Sequence, residues 1–126
     1  MPSAQEIWKL AYTGSVGSQM LLGVAALERL RRRHEAVAIW PFETGFADDL
    51  SKPVLVTEIY PSAKLFDFKR LLGEAQVADE AQIMAVSGFC ARADAKGAFE
   101  HLLVPQGLTE EQHRDVLDEE GWILGQ

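Results

Sequence analysis

A chain of 126 residues that is 48% apolar and 25% charged lies in the range of one domain, 1–126, able to bury about two-thirds of its unfolded surface. Its formal charge of −7 argues against a general nucleic-acid coat protein, because phosphate binding draws on accumulated Lys and Arg. No run approaches the roughly 18 apolar residues of a membrane-spanning helix, and MPSAQEIWKLAY lacks the basic-then-apolar order of a secretion signal, so the expected location is cytoplasmic.

The charge is unevenly spread: residues 1–70 hold nine Lys/Arg against eight Asp/Glu, and residues 71–126 hold three against eleven. The first half therefore retains room for a basic surface. The single Cys90 excludes an internal disulfide, and with no second thiol beside it the expectation is a small buried apolar group.

In chain order, AQEIWKLAY places Ile7, Leu10 and Ala11 at helical spacing behind Ser3, which predicts a short helix over residues 4–12. TGSVGSQ breaks it, with Ser15 and Ser18 expected to cap the next helix. That helix repeats Met20, Val24, Leu27 and Leu30 on one face. It ends in RLRRRHE, where Arg31, Arg32, Arg33 and His34 suit the negative end of a helix dipole. EAVAIWPF and PVLVTEIYP then read as strands, ended by Pro41 and Pro61. Three apolar residues in succession, 54–56, predict burial on both faces, as in a parallel or mixed sheet covered by helices.

After Pro61 the period shifts from two to 3.6, with Leu65, Phe68 and Leu72 predicting a helix that Gly73 ends. VADEAQIMAVSGFCARAD predicts another, with Ile83, Val86 and Cys90 as its stripe. GAFEHLLVP is a short helix stopped by Pro105, and LTEEQHRDVLDEEG opens on a Thr109-x-x-Gln112 capping box and closes on Gly121. The fold class is α/β, a small mixed or parallel sheet flanked by helices. Two strands are few for a sheet, so either one or two more lie in segments with no clear strand signal, or the chain is part of a larger architecture whose opening strands are absent.

Glu58 stands near the carboxyl end of the second strand, where α/β proteins place their sites. A carboxylate there calls for a partner, water or a divalent cation. Glu43 has a competing reading as turn chemistry in WPFETG. Asp79 and Glu80 open a helix, where the dipole favours negative charge regardless of function, and Asp94 reads as a helix-end residue. Ser15, Gly17 and Ser18 offer backbone N–H groups to an anion, against a plain helix start. His34, His101 and His113 are scattered, and they nominate no triad.

GSVGSQMLLGVAALERLR, WPFETG, TEIYPS, DEAQI and EEGWILG, in this order, resemble the C-terminal two-thirds of a family of uncharacterised bacterial proteins predicted to be RNase H-like nucleases. The resemblance covers most of residues 7–125 and implies an incomplete RNase H-like core. It implies a site in which carboxylates hold Mg²⁺ or Mn²⁺, with Glu58 and Asp79 as catalytic ligands and Asp94 as a third. The family's opening strand, which carries an aspartate, has no counterpart in this sequence. The expectation is therefore a non-catalytic binding or assembly module on that scaffold, a homo-oligomer in which a second copy covers the open sheet edge. The alternative is a metal-dependent phosphoester hydrolase.

Overall fold

A computed structural model describes residues 8–12, 16–47 and 49–126. The chain divides into two compact units, residues 1–37 and 38–126.

The first unit is built on helix α1 (Gly17–Arg33). Residues 8–12 form turns and irregular chain rather than the predicted helix, whose remainder lies outside the described residues. The residue that opens α1 is Val16, without a side-chain cap, and Ser18 lies inside the first turn rather than capping it. The basic end is as expected: Glu28 accepts hydrogen bonds from the guanidinium groups of Arg31, at 3.0 Å, and Arg32. These are the i,i+3 and i,i+4 positions that face each other on a helix. The apolar stripe is not buried. Met20 and Leu27 are half-buried and Val24 and Leu30 exposed, as are Leu21 and Leu22. Within its own unit the helix has, among the described residues, only Val16 and residues 8–12 and 34–37 beside it.

The second unit contains a small α/β arrangement. Strand β1 (Val37–Ile39) pairs in parallel with β2 (Val54–Val56). Burial along β2 runs exposed, half-buried, half-buried, so the predicted two-faced burial does not occur and Val54 faces solvent. Further β pairing comes from the C-terminus, where Glu58 and Ile123 form a parallel bridge and Leu124 N–H donates to the Glu58 carbonyl at 2.9 Å. Leu124 is thereby carried into the core.

That core joins Trp40, Phe46, Leu103, Val116 and Leu124. The WPFETG turn builds it: the Trp40 indole N–H donates to the Phe46 carbonyl at 2.7 Å, and the two rings meet with centroids 6.3 Å apart. Burying each such aromatic side chain contributes about 1.5–3 kcal/mol. The peptide bond between Trp40 and Pro41 is cis.

A second cluster joins Ala63, Phe66 and Ala85, with Phe68, Leu71, Val86 and Phe89 around it. Here the predicted helix over residues 65–72 is replaced by successive turns and a single 3₁₀ turn, Phe68–Leu71. The anchor is Phe66, which the 3.6-residue stripe left out, and Leu72 is exposed. Phe66 meets Phe89 edge to face, 5.3 Å between centroids. Helix α2 (Ala78–Ala95) buries Ala81, Ala85 and Ala93, while Ile83 is 62% exposed. Small residues at four-residue spacing let Phe66 and the turns around it approach the helix axis, so α2 buries alanines, half-buries Val86 and Phe89 beside them and leaves Ile83 and Met84 exposed.

The predicted helix around GAFEHLLVP is one 3₁₀ turn, Glu100–Leu103. Helix α3 (Glu110–Asp115) opens on the Thr109/Gln112 capping box as read from the sequence. It then widens into a π turn, Val116–Glu120, that ends at Gly121.

Candidate functional site

Glu43 closes its own turn. The Ile39 N–H donates to its carboxylate at 2.9 Å, and its own N–H donates back to the Ile39 carbonyl at 2.9 Å. Turn chemistry is therefore its visible role. Glu58 has its backbone fixed by the bridge to the C-terminal tail and its side chain exposed. Asp79 lies in the first turn of α2 and Asp94 near its last, both exposed. Fifteen residues at about 1.5 Å each separate them by about 22 Å along the helix. Metal–oxygen contacts of about 2.0–2.6 Å leave no way for both short side chains to reach one ion, so the three-carboxylate set Glu58, Asp79 and Asp94 is not assembled. Among the described residues no group of three His, Cys, Asp or Glu side chains is placed to hold a metal.

Of the anion-loop residues, Gly17 and Ser18 are described. The Gly17 N–H donates to the Lys9 carbonyl at 3.3 Å, so it is no free donor. Ser15 lies outside the described residues, and Ser18 is an exposed residue of the first helical turn. His113 packs edge-on against Phe46, with centroids 4.5 Å apart. Cys90 is half-buried, and burial pushes its thiol above the usual value. A thiol held protonated in this way is a weak nucleophile.

A concave surface of the second unit lies elsewhere among the described residues. A groove of about 300 Å³ runs between α2 and residues 65–71. Its floor is the second apolar cluster, chiefly Phe66, Ala85 and Phe89, with Leu65, Leu71 and Met84 along the walls. Arg70, from the 3₁₀ turn, and Arg92, from α2, line it together with Asp67. Among the described residues neither arginine forms an ion pair with a carboxylate. Arg92 folds back along its helix, so that a Cβ on Gly88 would stand 3.1 Å from its Nη1. Side chains on a helix lean toward its N-terminus, and a glycine four residues earlier lets the guanidinium lie close to the backbone.

This groove was not read from the sequence. The local signals were FDFKR, an aromatic pair leading to Arg70, and GFCAR, a glycine four residues before Arg92. Each is ordinary alone, and only the packing of the turns on α2 joins them. Neither a family model, nor a curated protein, nor a solved structure matches this chain.

Proposed function

We propose that this chain is a non-catalytic binding module and that the groove between α2 and residues 65–71 is its ligand site. One observation carries the reading: a cleft of about 300 Å³ lined by six apolar side chains together with Arg70, Arg92 and Asp67. Ligand sites are typically concave, mostly apolar and supplied with a few polar groups, at volumes of about 300–1,000 Å³. The proposal includes derivation from an RNase H-like scaffold; its support is the motif set in the sequence together with the small α/β class of the fold.

The test uses a neutral apolar probe and a phosphodiester in parallel. Octan-1-ol is expected to raise the melting midpoint, because a ligand that binds only the folded state stabilises it. Bis(p-nitrophenyl) phosphate with Mn²⁺ or Mg²⁺ is expected to show no turnover above buffer. Turnover that is lost in both Glu58→Gln and Asp79→Asn would replace this reading with the metal-dependent hydrolase.

A further inference from the structure

We propose that the ligand of the groove is an amphipathic monoanion, a carboxylate on an apolar body, with Arg70 and Arg92 holding the carboxylate and the Phe66–Phe89 floor taking the body. The inference rests on the groove being the working site and adds the chemical class of its occupant.

Two guanidinium groups from separate elements border one cleft, Arg70 on the 3₁₀ turn and Arg92 on α2. With no carboxylate paired to either among the described residues, their N–H forks remain available, and a carboxylate matches that fork geometry. Asp67 shares the lining. Two positive charges against one negative leave a single net positive charge, which suits a monoanion better than a dianion such as phosphate. The floor narrows the class further. Inorganic phosphate or a nucleic-acid backbone would leave the exposed Met84 and the half-buried Leu65, Leu71 and Phe89 wet, whereas a hydrocarbon or aryl body removes that surface from water. A volume of about 300 Å³ lies at the small end of ligand cavities, which favours a small molecule over a docked helix or a second copy of the chain. Gly88 completes the arrangement, since its missing Cβ lets the Arg92 guanidinium lie at the level of the groove.

Isothermal titration of the full chain with octanoate, octan-1-ol and octylammonium tests this. Octanoate is expected to bind at least about tenfold more tightly than octan-1-ol, the increment a charge-assisted hydrogen bond provides, and octylammonium least. Arg70→Gln and Arg92→Gln are each expected to weaken octanoate several-fold and leave octan-1-ol unchanged. Lys69→Gln, an exposed neighbour outside the groove lining, is expected to change neither. Both arginines are exposed, so the variants should melt with the parent. Equal affinity for octanoate and octan-1-ol would overturn the carboxylate assignment while leaving the groove as a site. Octanoate binding indifferent to both arginine variants would overturn it as well. No binding of any of the three probes would overturn the inference and the binding-module reading together.

Discussion

At Gly121 the backbone holds φ 70° and ψ −173°, a region that only glycine occupies at low cost. A Cβ there would stand 3.0 Å from Phe42 Cζ. Gly121→Ala is expected to cost about 1–3 kcal/mol, seen as a lower urea midpoint with an unchanged slope. Glu28 gives a pH prediction. Hydrogen bonds from Arg31 first, and then Arg32, hold its carboxyl below the ordinary value of 4.5. A carboxylate whose folded value is lowered contributes stability that is complete above its unfolded value and disappears as pH falls through the folded one. The window is therefore the acid side, below about pH 4.5, and salt weakens the effect at so exposed a site. Circular dichroism at 222 nm should show a shallower acid limb for Glu28→Gln than for the parent, and equal limbs would refute the pairing.

Among the elements, α3 carries the most local signal. Thr109 Oγ1 accepts from the Gln112 N–H at 3.2 Å, and the Gln112 side chain accepts from the Thr109 N–H at 3.0 Å. Thr109→Ala is expected to destabilise by about 1 kcal/mol, measurable in the same urea series. A capping box was legible because both partners lie within four residues. The buried face of α2 was not, since amphipathic reading follows the largest apolar side chains and this helix buries its alanines. The helix expected over residues 65–72 failed for a related reason: Phe66, the residue that decides the packing, lies off the 3.6-residue stripe. Gly88 links element to function. Nothing but Arg92 stands within 4 Å of a Cβ there, so Gly88→Ala should gain about 0.5–1 kcal/mol of helix stability. It should also push the Arg92 guanidinium aside and weaken octanoate binding. A rise in melting midpoint without loss of affinity would mean that Gly88 does not set the position of Arg92.

For the molecule as a whole, the sequence was informative about class and less so about site. The apolar stretches before Pro41 and before Pro61 marked β1 and β2, whereas the single bridge between Ile123 and Glu58 had no strand signal to announce it. Glu58 stands at a strand end, and that position says nothing of companions. The groove depends on contacts between residues 65–71 and 84–92, and no periodicity in one segment records how another will pack on it. As a binding module, the chain is proposed to hold its ligand in this groove and not at the carboxylate edge near Glu58. A titration of the ¹⁵N-labelled chain with octanoate, followed by amide chemical shifts, tests it most directly. Shift changes are predicted to concentrate in residues 65–71 and 84–92 and to leave residues 58 and 123 still. Changes centred on residues 58 and 79 instead, or no saturable change at all, would contradict the account.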